Sequence, residues 1–318
     1  MKTLYLVDFS NFSYKFKSTI KSVRNVNGVA VDISVLIGFM KMLKHFPYND
    51  IVFVLDAYPE YNLRILPSYK GQRSKEPSEG VSCSKHEVLC FIQEYAKLLG
   101  KNVSIVAARG FEADQIISSI VWMAKGKVSE TELLMKTAFD DFSPEKDRYL
   151  KRHLVDCVSN KITELSADEI LIGTTDSDMY QLTSIDGVYI DTSVSGKKIN
   201  SNGSTPKAVD FNIPSAIPAY KAICGDVSDN VPQVPLPLKG AQLKKFVSVN
   251  FKTSNDIYKL IHHYDESSPV IKSIIKEEHL PLINRNYKLT CLNFFTVPYK
   301  IQFNNWDLSQ LSKYGLKF

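Results

Sequence analysis

Seven acidic residues of this chain end apolar runs or sit inside short polar turns. They are Asp8 after TLYLV, Asp56 after IVFVL, Glu112 and Asp114 in GFEAD, Asp176 and Asp178 in LIGTTDSD, and Asp226 in CGDVSDN. Asp229 of the last segment adds an eighth. Buried strands that end at such residues bring them together although they lie far apart in the chain. Carboxylates gathered that closely do not all stay ionised without cations. Clusters of this kind hold two divalent ions roughly 3.5–4 Å apart, one generating a hydroxide nucleophile and the other stabilising a leaving oxygen. Magnesium takes oxygen ligands and keeps waters, so some of these acids would act through water. A single Asp after a strand is most often a helix cap or a turn former. Capping does not require the same strand-end placement again and again.

A cationic stretch follows Asp56. It reads LRILPSYKGQRSK and carries Arg64, Tyr69, Lys70, Arg73 and Lys75. The default for a charge run is a solvated loop. Beside the acids it reads as a wall that meets phosphate, with Lys70 or Arg73 on the scissile group and Tyr69 packing or stacking.

The elements that position these residues alternate. TLYLVDF, IVFVL (51–55), VSIVA (103–107) and EILIG (169–173) read as buried strands. Residues 31–44, 87–99 and 114–123 carry apolar residues at helical spacing. Strands alternating with helices predict an α/β domain with a largely parallel sheet, and sites in such sheets lie beyond the carboxyl ends of the strands. Asp176 and Asp178, two apart, share a face of extended chain. Asp226 and Asp229, three apart, share a face of a helix. Glu112 falls at or before the start of the helix that carries Asp114. From Pro214 onward Pro-rich joints and helical patterns take over, so the expected division is 1–213 and a helical 214–318. The charged stretch 125–166 reads as a helical insertion in the first part.

The totals are compatible with this. The chain has 318 residues, 44% of them hydrophobic, and a formal charge of +5. That supports one large or two medium cores, and it permits nucleic-acid binding without requiring it. The five cysteines show no CxxC pair, which excludes the usual zinc and disulfide frameworks. The N-terminus MKTLYLVDFS turns acidic and polar too soon for a signal peptide. No apolar run reaches membrane-spanning length. The expectation is a soluble, cytoplasmic protein of a reducing compartment, without a membrane partner.

In order along the chain, these blocks resemble the 5′-nuclease superfamily: flap endonucleases, the 5′-nuclease domain of bacterial DNA polymerase I, and phage 5′→3′ exonucleases. LYLVDFSNF resembles the first strand with its metal Asp. FVLDAYPEYNLRILPSYKGQR resembles the D…FR…P-x-YK-x-x-R block, and GFEADQ the G-x-EADD block. LIGTTDSDMYQL resembles TGDxDxxQL, AICGDVSDNVPQV resembles GDxSDNIPGV, and HLPLINRNYKLTCL resembles the closing R-N-x-x-L helix. The resemblance implies a PIN-like α/β fold whose helical C-terminal region contains a helix–turn–helix element. It implies two Mg2+ ions, with Mn2+ able to substitute, held by Asp8, Asp56, Glu112, Asp114, Asp176, Asp178, Asp226 and Asp229. Lys70 and Arg73 would act on the scissile phosphate, and Arg64, Tyr69 and Lys75 would contact DNA. The implied substrates are DNA 5′ ends, flaps and nicks, with RNA/DNA hybrids and replication proteins as further partners.

Three departures stand out. Gln115 takes the place of the last acid of EADD. QVPLPLKGAQ replaces the glycine-rich turn of the helix–turn–helix, which leaves the family's potassium site without its glycines; Lys239, Lys244 and Lys245 offer point charges nearby. The third is the 125–166 insertion. Two alternatives stay open: a weakened family member that binds branched DNA or a replication partner, and a PIN-like ribonuclease.

Overall fold

The computed structural model describes residues 2–72, 81–107, 110–125, 167–193, 213–292 and 300–302. Beyond its first residue, the expected 125–166 insertion lies outside them. From the N-terminus, β1 (Thr3–Asp8) leads straight into α1 (Phe9–Thr19). The hairpin of β2 (Val23–Val26) and β3 (Val29–Asp32) precedes α2 (Ser34–His45). Then come β4 (Asp50–Leu55), α3 (Glu60–Ile65), the short β5 (Val81–Ser82) and α4 (Lys85–Leu98). Next are β6 (Asn102–Ala107), α5 (Ala113–Ala124), β7 (Glu169–Gly173), a 3-10 helix (Ser177–Ser184) and β8 (Val188–Asp191). The C-terminal part holds α6 (Ile217–Cys224), α7 (Gly240–Asn250), α8 (Ser254–His262), α9 (Pro269–Ile274) and α10 (Leu280–Thr290). A last strand, β9 (Lys300–Gln302), returns to the sheet.

The main sheet runs β8-β7-β1-β4-β6-β9. Its first five strands pair in parallel and β9 is antiparallel to β6. Side chains of period 2 feed two cores. Leu4, Leu6, Val52, Val54, Ile170 and Ile172 face α5, while Tyr5, Val7, Ile51, Phe53 and Ile105 face α1, α2 and α4. Helices on both faces leave only the strand ends open for a polar site, as parallel sheets require. A third core, built on Ile223, Val234, Leu243, Phe251, Ile257 and Ile283, joins the C-terminal helices. No helix among the described residues is long and apolar enough to cross a membrane.

The structure changes two local expectations. The stripe expected over 31–44 becomes a helix only from Ser34. Asn27 and Gly28 both take positive φ and turn the preceding residues into a hairpin, and Asp32 Oδ1 accepts the Ser34 N–H at 2.8 Å. Among the described residues from Pro214 onward the elements are helical, except that β9 crosses back to the sheet.

Candidate metal centre and active site

β1 and β4 end side by side, so Asp8 closes one strand and Asp56 immediately follows the other. Asp8 Oδ1 caps α1 by accepting the Asn11 N–H at 3.1 Å, and its Oδ2 accepts the Thr174 hydroxyl at 3.3 Å. Asp56 Oδ1 accepts the Ala113 N–H at 2.8 Å, which ties the end of β4 to the first turn of α5. Glu112 sits just before α5 and Asp114 in its first turn. Asp176 caps the 3-10 helix by accepting the Asp178 N–H at 2.9 Å. The pair therefore stands on a capped turn, not on extended chain, because Asp176 accepts its neighbour's N–H and starts a helix.

The other acids come from beyond the sheet. α6 stops at Gly225, whose φ is +75° and where a Cβ would lie 2.5 Å from the Val231 carbonyl oxygen. Only glycine fits that approach. Asp226 and Val231 then exchange backbone hydrogen bonds of 2.8 Å, so 226–231 is a closed turn. Asp226 and Asp229 lie on this turn and not on a helix; Gly225 and the bridge end the helical path first.

That turn is stitched to the segment after α3. The Lys70 N–H donates to the Asp229 carbonyl at 2.9 Å and Asn230 Nδ2 to the Ser68 carbonyl at 2.7 Å. Gln72 Nε2 donates to the carbonyls of Val227 and Ser228 at 2.7 and 3.2 Å. Lys70 has φ of +52°, a left-handed conformation that costs about 1–2 kcal/mol for a residue with a Cβ. Its ammonium reaches Glu112 Oε1 at 2.6 Å and lies 3.7 Å from Asp229 Oδ1. Tyr69 Oη lies 2.8 Å from Glu112 Oε2 and 2.9 Å from Asp229 Oδ2. A second cation, Lys221 in the last turn of α6, contacts Asp178 and lies 2.5 Å from Asp226 Oδ2.

The electrostatics bind these groups into one cluster. Burial, then the Asp56 charge, raise the Asp8 carboxyl to about 7. Burial holds Asp114 well above the carboxylate range, with Glu112, Asp176 and Asp56 adding to the rise and Lys70 opposing it. Asp178 is raised by burial and by Asp176, against Lys221. Asp229 is raised by burial, with Lys70 opposing. Asp226 goes the other way: burial would raise it, but Lys221 and Ser228 together hold it below the usual value. Asp8, Asp114, Asp178 and Asp229 thus each feel at least one other acid of the cluster. One oxygen from each of Asp178, Asp226 and Asp229 lies within 4.8 Å of the others. Crowded hard oxygens that resist ionisation alone are what a divalent cation relieves.

No family model matches the chain. It is 25% identical to a 5′-3′ exonuclease of Buchnera aphidicola subsp. Baizongia pistaciae, over 98% of this chain and 94% of that one. It is 23% identical to the DNA polymerase I of Borreliella burgdorferi, over its whole length but only 28% of the polymerase. Among solved structures, the T5 D15 protein co-crystallised with metal ions superimposes with a TM-score of 0.51 at 18% identity, covering 92% of this chain and 90% of that one. The T5 D15 flap endonuclease in a pseudo-enzyme–product complex with DNA and metal ions gives 0.50, also at 18% identity, covering the same shares. The chain has the 5′-nuclease fold.

Within the 5′-nuclease fold, all eight acids singled out above fall at the carboxyl end of the sheet or on the turn packed against it. Lys70 joins them. Arg73 and Lys75 lie outside the described residues. The Tyr69 ring is 4% exposed, so its place is inside the site, holding Glu112 and Asp229. Arg64 is exposed on α3. Lys239 and Lys245 are exposed beside α7 and on it, and Lys244 lies over the Tyr220 ring at 5.9 Å.

Lys221 escaped sequence reasoning. The available signal was a lone cation in an apolar helix, AIPAYKAIC, five residues before Asp226. Burial would favour loss of its proton, but Asp178 and Asp226 hold the ammonium above the usual lysine range. Lys221→Ala leaves both acids buried and unpaired, so the metal-free protein is expected to lose about 3 kcal/mol of stability. Chelator-treated thermal melting checks this, and saturating divalent ion is expected to restore much of the loss.

Proposed function

We propose that this protein is a metal-dependent 5′-nuclease that hydrolyses phosphodiester bonds of DNA at 5′ ends, flaps and nicks, with RNA primers as a further substrate. The observation that carries the reading is the convergence of eight acids and two lysines at the open edge of a 5′-nuclease fold. Asp8, Asp56, Glu112, Asp114 and Asp176 would serve one end of a two-ion centre, and Asp178, Asp226 and Asp229 the other. The fit rests on the raised carboxyls and the compact Asp178–Asp226–Asp229 oxygens. Mg2+ would be the resident ion, with Mn2+ able to replace it. When bound, the ions supply the activated water and neutralise charge at the leaving oxygen. The chain's own residues orient and hold. Lys70, released from Glu112, is placed to meet the scissile phosphate, and Arg73 is its proposed companion. Tyr69 keeps Glu112 and Asp229 in register.

The proposed organisation is a nuclease domain over 1–213, with its insertion, and a helical DNA-binding region over 214–318. α6, the connection 225–239 and α7 are the proposed helix–turn–helix. Val234 and Leu236 point into the core while Pro235 and Pro237 face out, so the outer surface of the connection lacks donor N–H groups at the two prolines. This speaks against backbone N–H contacts to phosphate at those two positions, and it leaves Lys239, Lys244 and Lys245 as the proposed duplex contacts.

Purified protein with Mg2+ is expected to cut a 5′-flap DNA and to stop when EDTA is added. A matched single-stranded RNA should be cut far more slowly. Intact flap DNA that nevertheless stays bound would overturn the reading in favour of a binding protein, and preferential RNA cleavage in favour of a ribonuclease.

A further inference from the structure

Gln115 stands where the related motif carries an acid. It is 2% exposed, and its neighbour Asn62 on α3 is 1% exposed. The two amides close a ring with Glu112. The Glu112 N–H donates to Gln115 Oε1 at 3.1 Å, Gln115 Nε2 donates to Asn62 Oδ1 at 2.9 Å, and Asn62 Nδ2 donates to Glu112 Oε2 at 2.9 Å. A backbone N–H can only donate, so it fixes which end of Gln115 faces it. That choice fixes Asn62 in turn, and a donor ends up aimed at the Glu112 carboxylate. With Tyr69 on the same oxygen, Oε2 is saturated and Oε1, where Lys70 sits, is the oxygen left to turn toward a cation.

We infer that Asn62 and Gln115 are a matched pair of positioning residues that transmit the polarity of the Glu112 N–H to its own carboxylate, so that Glu112 offers one defined oxygen to a divalent ion. This deepens the reading of Glu112 as a metal ligand and rests on it. It also gives Gln115 a task other than a lost ligand. An acid at 115 would accept the same N–H, but it has no donor for Asn62. Asn62 would turn round and set its oxygen against Glu112.

The test titrates metal-free protein with Mn2+ by calorimetry, beside a thermal melt of each variant. Gln115→Glu, nearly the same shape, is expected to weaken Mn2+ binding about tenfold or more. Gln115→Met breaks the ring without reversing Asn62; it should lower the melting temperature yet change Mn2+ affinity less than threefold. Asn62→Lys combined with Gln115→Glu places a donor against both carboxylates and should recover most of the affinity. If Gln115→Glu does not fold, Asn62→Leu, which deletes the donor, takes its place and should weaken Mn2+ binding while Gln115→Met does not. Equal weakening by the Glu and Met variants, or none by Glu, overturns the inference. Failure of the unaltered protein to bind Mn2+ would instead sink the metal-site reading beneath it.

Discussion

Replacing Asp114 with asparagine is expected to cut cleavage of a 5′-flap DNA about a thousandfold or more while making the metal-free protein more stable. Asp114 is the acid whose charge meets the most others: Glu112, Asp176 and Asp56 all push its carboxyl up, on top of its burial. Asparagine keeps the shape and can still accept the Gln115 N–H that Asp114 Oδ1 takes at 2.7 Å. It removes the need either to ionise or to protonate a buried carboxyl among like charges. Loss of a group essential to the chemistry costs about three orders of magnitude or more in rate. Loss of a buried like-charge repulsion adds on the order of 1 kcal/mol to the empty protein. Damage to the fold would move both readouts down together, whereas the proposed role moves them apart. Cleavage within tenfold of the unaltered protein would remove Asp114 from the metal shell.

Metal-free protein is expected to lose stability as pH rises from about 4 to about 7. The Asp8 carboxyl goes from an ordinary value of 3.8 to about 7 in the folded chain. The folded state therefore holds this proton over a range where the unfolded state has released it. Stability falls with pH wherever the folded state binds more protons. The span for Asp8 alone corresponds to an upper figure on the order of 4 kcal/mol. Asp114, Asp178 and Asp229 are raised as well and act in the same direction. Asp226 is lowered and opposes them only at the acid end, where its pairing with Lys221 begins to be lost. Melting in EDTA should peak near pH 4 and decline toward pH 7.5. Saturating Mg2+ should flatten the decline, because ion binding favours the ionised cluster. A flat or rising melting temperature in EDTA would contradict the buried like-charge cluster.

Much of the site was legible because its residues end fully apolar runs. TLYLV, IVFVL and EILIG can only be interior strands, and the acids that follow them must emerge at one edge. Asp8 and Asp176 also obey the bland reading: both cap helices. Capping and convergence are compatible, and capping fixes where the carboxylates point. What was not legible depends on contacts between distant segments. Nothing local shows that Tyr69 turns inward or that Lys221 divides its charge between Asp178 and Asp226. The β2–β3 hairpin had its Asn27-Gly28 turn in plain view, but Val23 and Val29 are exposed and left no apolar alternation to read. The three-residue spacing of Asp226 and Asp229 suits a helix, and nothing in that spacing shows the bridge from Asp226 to Val231 that closes a turn instead.

The stitching of residues 68–72 to the turn 226–231 also governs when the protein matures. Chains fold from the N-terminus during synthesis, unit by unit. By the time β8 has emerged, the parallel strands and six of the eight acids are present, yet Lys70 and Gln72 have no turn to bond and Asp178 has no Lys221. The last two acids, and the hydrogen bonds that hold the Lys70 backbone, come only with α6 and the turn after it. The half-made chain on this account lacks a complete acid cluster, which closes only once α6 and the turn after it have docked.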